Sequence, residues 1–391
     1  MRKITLGCLN INDAGKKYVN DALDNNRLSA GKYTTRFENE FAALHQCAHG
    51  VFCNSGTSAL QIALAALKEY FHYTDGDEVL VPATTFIATS NVVLQNGLKP
   101  VFVDVDSATF NIDVNKIKEK LTSRTRCILP VHLFGLPADS SIFYLAHTWG
   151  LQVLEDSCET AFAKVHGQSV GNLGDIACFS TYVAHLIVGG VGGLVTTNDP
   201  ELVEICRSLM AHGRDSIYTN IDQDDAASDD LLKQMISRRY SFDRVGYSYR
   251  CTELEAAIAC SELEHWERNI TIRRTNAAYL TKMLRDLKEY LQLPVVPAGY
   301  EHSFMLYPMV LASFIDRDKF LLHLEQRGIE TRYMFPLLTQ PVYRKLFPDL
   351  AEKYPVSLNL SRQGFFVGMH QGLTLEDMDY LSNTIHEYFG A

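Results

Sequence analysis

Between residues 51 and 200, short runs of apolar and β-branched residues alternate with stretches whose apolar positions recur at helical spacing. The runs are Val51–Asn54, Glu78–Pro82, Val101–Asp104, Cys127–Val131, Leu151–Glu155, Ile176–Ser180 and Leu194–Thr197. Each predicts a strand. After the first, Leu60, Leu64, Leu67 and Phe71 share one face of a helix predicted over 58–71. Continuously apolar strands separated by helices imply a largely parallel sheet covered on both faces. Such sheets bind ligands at the carboxyl ends of their strands, so polar residues just past a strand are the candidates for chemistry.

The pattern changes in 214–243, which is acidic at Asp222, Asp224, Asp225, Asp229 and Asp230, then basic at Arg238 and Arg239. This reads as a solvated surface excursion or as a loop bordering an active site. One long helical stretch is predicted from Thr252 to about Leu287. The last third again reads as α/β: a strand over 303–311, a helix near 316–327, a strand over 331–336 and a final helix over 375–389. A domain boundary is expected near residue 250, giving a large domain of 1–250 and a smaller C-terminal α/β domain of 251–391.

The 391 residues are long enough for two or three domains at roughly 150 residues each. With 36 basic and 46 acidic side chains the net charge is 36 − 46 = −10, and no basic stripe is available for nucleic-acid phosphates. No apolar run approaches the roughly 20 residues of a membrane span, and the first ten residues lack a secretory signal core. Nine cysteines without a paired framework fit reduced thiols in a cytoplasm.

Three segments follow predicted strands and carry reactive groups. The first is Asn54-Ser55-Gly56-Thr57-Ser58-Ala59, where hydroxyls and backbone N–H groups at a helix start suit either an anion or an ordinary N-cap. It is neither a Walker loop nor a dinucleotide fingerprint. The second is Glu155-Asp156-Ser157-Cys158-Glu159. A carboxylate at the mouth of a buried strand needs a cation or a donor. Asp156 therefore suits a protonated ring nitrogen, the role an Asp plays toward a pyridoxal cofactor, or a cap on the next turn. The third runs from Phe179-Ser180 through His185 to Gly189-Gly190-Val191-Gly192-Gly193, whose glycines permit close backbone approach to a ligand. His45-Gln46-Cys47-Ala48-His49 spreads its ligands over different helix faces, and no Cys-x-x-Cys exists, so no metal site is expected. No Gly-x-Ser-x-Gly elbow is present either.

Taken in order, seven stretches resemble the DegT/DnrJ/EryC1/StrS family of pyridoxal-phosphate sugar aminotransferases, over nearly the whole chain. They are Leu28-Ser29-Ala30-Gly31 with Phe37-Glu38, Ser55 to Leu60, Pro82 to Thr89, Glu155-Asp156, Gly174-Asp175, Gly246-Tyr247-Ser248-Tyr249-Arg250 and Gly372-Leu373-Thr374. The resemblance implies a fold type I, aminotransferase-like α/β architecture with pyridoxal 5′-phosphate or pyridoxamine 5′-phosphate as cofactor. It implies that Thr57, Ser58 and Ser180 bind the cofactor phosphate, that Phe86 stacks on its ring and that Asp156 pairs with its ring nitrogen. It further implies a homodimer with active sites at the interface, where Ser248, in a position usually held by Asn, approaches the neighbour's phosphate.

The departure from the family pattern is His185, which stands where transaminating members carry the Schiff-base lysine. An imidazole cannot form that bond, so the cofactor is expected to be held non-covalently. Within the family this exchange resembles the histidine-containing GDP-4-keto-6-deoxymannose 3-dehydratase branch. So do Glu159, where aminotransferases usually have Gln, and Phe366-Val367-Gly368-Met369-His370-Gln371. His212 resembles a second dehydratase histidine. No cysteine follows Gly213-Arg214-Asp215 until Cys251, so an iron–sulfur cluster is not expected. The implied activity is 3-dehydration of a nucleotide-linked 4-keto-6-deoxyhexose in deoxysugar and polysaccharide biosynthesis, with glutamate regenerating the amine cofactor and His185 as acid–base. The alternatives are a sugar aminotransferase that has lost its lysine, naturally or by design, and a non-catalytic homologue that binds cofactor or sugar nucleotide. Val191 departs from both enzyme branches, which usually place an acid there.

Overall fold

A computed structural model of the chain describes residues 2–215, 228–348 and 350–390. The strands are β1 (His49–Cys53), β2 (Glu78–Pro82), β3 (Lys99–Val103), β4 (Thr125–Ile128) and β5 (Gln152–Asp156), a small hairpin of β6 (Lys164–Val165) and β7 (Gln168–Ser169), then β8 (Ile176–Ser180) and β9 (Gly193–Thr197). Seven of these form one sheet in the order β1-β9-β8-β5-β4-β2-β3. The pairs from β8 through β5, β4 and β2 to β3 are parallel, while β9 is antiparallel to both its neighbours. β9 alone therefore runs against the rest. The carboxyl ends of the other six gather on one edge, and the start of β9 joins them.

The predicted strands all exist, two with identical bounds and the others displaced by one to three residues at an end. The helix after β1 runs Gly56–Tyr70, with Ser55 as N-cap accepting from the Ser58 N–H at 3.0 Å. Leu60, Leu64 and Leu67 are buried on its inner face. Phe71 is its C-cap, just past the last helical residue, and stays exposed.

The second sheet comprises β10 (Leu291–Gln292), β11 (Leu306–Leu311), β12 (Thr331–Tyr333) and β13 (Gly364–Gly368), in the order β10-β11-β13-β12 and antiparallel throughout. Helices Trp266–Met283, Arg317–Gln326 and Leu375–Phe389 cover it around Phe320, Phe365 and Leu381. The chain start belongs here too, since Ile4 bridges Ile329.

Two expectations are corrected. The stretch Thr252–Leu287 is not one helix but two, Glu253–Leu263 and Trp266–Met283. The first packs Ala256, Ala257 and Cys260 into the core that holds Phe37 and Phe41; the second packs on Leu375–Phe389. One straight axis cannot serve both partners. The helix Glu253–Leu263, beyond residue 250, therefore packs with the first half of the chain, as do Tyr343 and Tyr354 against Phe102. The segment 214–243 is not all excursion either. Residues 216–227 lie outside the described residues, but Asp229–Arg238 is a helix with Ser228 as N-cap. Asp229 and Asp230 sit in its first turn, where negative charge complements the helix dipole. All nine cysteines are free, and among the described residues no helix is long and apolar enough to cross a membrane.

Candidate active site

The carboxyl ends of β1, β5 and β8 surround a cavity of about 440 Å³, a size suited to a small-molecule ligand. Thr57, Phe86, Asp156, Glu159, Ser180 and His185 all line it. The sequence-predicted residues that the structure does not bring there are Ser58, Ser248 and His212.

The anion end is built by close packing. Residue 56 lies so near β8 that a Cβ there would stand 2.9 Å from Ser180 Cβ, which sets Ser180 against the first turn of the helix Gly56–Tyr70. Thr57 is exposed in that turn. The positive end of the helix dipole and the Thr57 and Ser180 hydroxyls thus face one space, an arrangement that fits a phosphate. Ser58 is turned inward. Its hydroxyl donates to Asn54 Oδ1 at 2.7 Å and accepts from Ser55 at 2.9 Å, bracing the turn. At the start of β9, Gly192 lines the cavity and Gly193 lies against the chain's own backbone. A Cβ at Gly193 would run into the Ser55 carbonyl, and Gly192 has φ +136°. Gly193→Ala is therefore expected to destabilise the fold by about 1–3 kcal/mol, measured by denaturant unfolding, and to loosen the anion seat.

Asp156 ends β5 and is buried. Strand alternation turns its neighbour Glu155 to the opposite side, where it accepts from His132 and from the Gly171, Leu173 and Gly174 N–H groups. Asp156 accepts instead from Thr89 Oγ1 at 2.7 Å and from the Cys158 N–H at 3.2 Å. Thr89 is itself bonded to Thr85 at 2.8 Å. Burial raises the Asp156 pKa, and those donors only partly offset it. A ring N–H⁺ in the cavity would restore the charge balance. Thr89 lay within the quoted Pro82–Thr89 stretch, but nothing in its spacing linked it to a carboxylate 67 residues away.

Glu159 is buried beside Asp156 and accepts from the Phe134 N–H at 2.9 Å. Burial first, and the Asp156 charge after it, push its pKa up to about 8. Burial thus favours its protonated form, which has an O–H to donate as a glutamine amide has an N–H. Its contribution to stability is complete in acid and is lost as pH rises toward 8. In cofactor-free protein the melting temperature should accordingly fall more between about pH 5 and pH 9 in the parent than in Glu159→Gln.

Phe86 is 57% exposed and caps the helix Ile87–Gln95, leaving a ring face available for stacking. Opposite it the second sheet contributes Phe335, Phe366 and Arg332. Phe366 belongs to the quoted stretch 366–371, whereas Arg332 of β12 and Phe335 just after it gave no signal in the sequence. Val191 and Cys158 also line the wall.

His185 faces the same space, and among the described residues no lysine lines the cavity. Its Nδ1 is buried without a hydrogen-bond partner. Burial, reinforced by the Arg273 guanidinium, pushes its pKa down to about 4, so the ring is neutral at physiological pH. His212 and Ser248 instead form an exposed cluster outside the cavity. Arg250 Nη2 lies 3.1 Å from His212 Nε2 and donates to Ser248 Oγ at 3.2 Å. The backbone of this segment continues the sheet edge: Asn54 N–H bonds the Tyr249 carbonyl at 2.8 Å, and Arg250 bridges Cys53.

A mostly parallel sheet with this strand order, two hydroxyls at a helix start, an exposed phenylalanine ring and a buried aspartate around one cavity fit a pyridoxal-phosphate-dependent enzyme of aminotransferase fold. The chain belongs to the DegT/DnrJ/EryC1/StrS aminotransferase family, whose sequence profile matches residues 10–386. It is 32% identical over 377 residues to a GDP-perosamine synthase of Escherichia coli O157:H7, covering 96% of this chain and 95% of that protein. It is 35% identical over 370 residues to a UDP-N-acetyl-3-dehydro-α-D-glucosamine 3-aminotransferase of Acidithiobacillus ferrooxidans, covering 94% and 91%. Among solved structures it superposes on the E. coli GDP-4-keto-6-deoxy-D-mannose-3-dehydratase with bound hydrated PLP. That match has a TM-score of 0.86 and 27% identity, and covers 98% of this chain and 100% of that one.

Proposed function

We propose that this protein is a 3-dehydratase acting on a nucleotide-linked 4-keto-6-deoxyhexose, with glutamate as amino donor, in the biosynthesis of a deoxysugar for a surface polysaccharide such as the lipopolysaccharide O-antigen. The observation that carries this reading is His185: a neutral imidazole faces the cavity, and among the described residues no lysine lines the wall. The likeness to the E. coli dehydratase structure supports it.

The cofactor, when bound, offers an amine that condenses with the sugar's keto carbon and a ring that takes up electrons. This chain's residues do the rest. Thr57 and Ser180 hold the phosphate, Phe86 covers the ring and Asp156 keeps its nitrogen protonated. Glu159 donates a hydrogen bond from its protonated carboxyl. His185, whose ring lines the cavity, would take a proton from the amine-bearing carbon of the cofactor once the sugar is joined to it and return that proton to the departing C3 hydroxyl. The electron pair left behind expels that hydroxyl as water, and the imidazole ends neutral. Without a lysine at this position, nothing tethers the cofactor and no ε-amine is present to reprotonate the sugar at C4. Elimination is thereby favoured over amine transfer.

The second reading, a sugar aminotransferase without its lysine, draws support from the aminotransferase relative and from Val191 on the cavity wall. A homologue that only binds has less support, because the Asp156–Thr89 pair and the protonated Glu159 are intact. Mass spectrometry on a panel of nucleotide-linked 4-keto-6-deoxyhexoses with glutamate tests the proposal: a 3-deoxy product supports it, and a 4-amino sugar or no turnover contradicts it.

The assembly we propose is a homodimer in which Ser248 and Arg250 reach the partner's phosphate seat. It is supported by the apolar surface just before them, where Val245 is 97% and Tyr240 86% exposed. Light scattering should give twice the 44.0 kDa chain mass, and Val245→Glu should lower both that mass and the activity.

A further inference from the structure

His185 sits at the end of a tight turn. Its N–H donates to the Tyr182 carbonyl at 2.9 Å, which makes Val183 and Ala184 the two central residues. The base of the turn is tied to the glycines before β9: the Thr181 N–H donates to the Gly192 carbonyl at 3.0 Å, and the Thr181 carbonyl accepts from the Gly189 N–H at 2.8 Å. The apex is not tied in this way. Among the described residues, neither Val183 nor Ala184 takes part in a bond to another backbone group.

What lies against the apex is the segment 2–8. A Cβ at Gly7 would stand 2.7 Å from Ala184 Cα, 3.0 Å from the Val183 carbonyl oxygen and 3.2 Å from Ala184 Cβ. These atoms belong to the two central residues of the turn. The segment itself is fixed to the second sheet. The Ile4 N–H donates to the Gly328 carbonyl and the Ile4 carbonyl accepts from the Glu330 N–H, both at 2.9 Å, and the Ile4 side chain is buried. Arg2 pairs with Asp377, and with Glu376 at 3.1 Å. The Leu6 N–H donates to Glu330 Oε2 at 3.1 Å, and Thr5 Oγ1 lies 3.1 Å from His370 Nε2. Leu6 then lines the cavity, as do Ala184 and His185.

Carbon atoms pack at about 3.5–4.0 Å, so any side chain at residue 7 requires a retreat of about 1 Å. The segment is anchored along its length, whereas the apex of the turn is held only through its ends. The apex therefore gives way, and His185 moves with it. We infer that Gly7 is a positioning residue for His185: by carrying no side chain it lets the anchored N-terminal backbone support the turn 182–185 and keep the imidazole at its place in the cavity wall. The inference rests on the proposed acid–base role of His185.

Two measurements test it. The first reads position without the reaction. In His185→Lys, borohydride attaches bound cofactor at residue 185, and adding Gly7→Ala should slow that attachment by roughly tenfold per bound cofactor. A role confined to fold stability would lower the melting temperature or the cofactor content and leave the rate per bound cofactor unchanged. The second uses the parent imidazole. Gly7→Ala alone should lower kcat for dehydration by roughly 10–100-fold, since a misplacement of 1 Å costs on that order, while KM for the nucleotide-linked sugar stays within about threefold. An unmoved attachment rate overturns the inference. Should Gly7→Ala not fold, Ile4→Ala releases the segment's anchor from outside the cavity wall, and an unmoved attachment rate there overturns it equally. Slowed attachment with an unchanged kcat supports the hold of Gly7 on the turn and overturns instead the acid–base role of His185.

Discussion

His185→Asn should lower the dehydration rate by roughly 10²–10⁴-fold, the usual contribution of a positioned acid–base group, with little change in cofactor content. Asparagine keeps polarity and approximate size but cannot carry a proton between two atoms. Cofactor retention is expected to survive because the phosphate seat, Phe86 and Asp156 lie on other elements. The complementary change, His185→Lys, returns an ε-amine to the cavity. It should weaken dehydration and make the cofactor attachable to the chain by borohydride, with peptide mapping placing the link at residue 185. Dehydration by His185→Lys at the parent's rate would show that the imidazole is not the base.

Asp156→Asn should reduce activity by on the order of 10²–10³-fold and weaken cofactor binding. The carboxylate ends β5 in a buried position with its oxygens already bonded to Thr89 and the Cys158 N–H, so it cannot move to compensate. Leaving a buried ring N–H⁺ without its counter-charge costs about 3–5 kcal/mol, and each 1.4 kcal/mol is tenfold. Equilibrium dialysis of the cofactor, beside the rate, measures both effects. Retention of parental affinity and rate would remove Asp156 from the ring-nitrogen role.

The large sheet was legible because each of its strands is a short apolar run and several of its crossovers carry a helix with a buried face. Leu60, Leu64 and Leu67 are an instance, buried as their spacing required. The C-terminal region was less legible. Its antiparallel strands, such as β13, are as apolar as those of the parallel sheet, so hydropathy alone did not distinguish the two arrangements. The helix Asp229–Arg238 was hidden by its own charges: Leu231, Met235 and Ile236 fall at helical spacing, yet the acidic run that starts the helix read as a loop.

At the site, Thr57, Asp156, Ser180 and His185 were visible because each lies at, or within five residues past, the carboxyl end of a strand. Ser58 was misread, since local spacing does not say which of two adjacent hydroxyls turns inward. Thr89, Arg332 and Phe335 carried no local signal. Their roles come from packing between segments far apart in the chain, and only the fold brings those together.

The most direct test of the account follows the nitrogen of ¹⁵N-glutamate through turnover with a nucleotide-linked 4-keto-6-deoxyhexose. A dehydratase releases the label as ammonia and leaves a nitrogen-free 3-deoxy sugar. Label retained at C4 of a sugar that still carries its C3 hydroxyl would contradict the account and assign the protein to amine transfer.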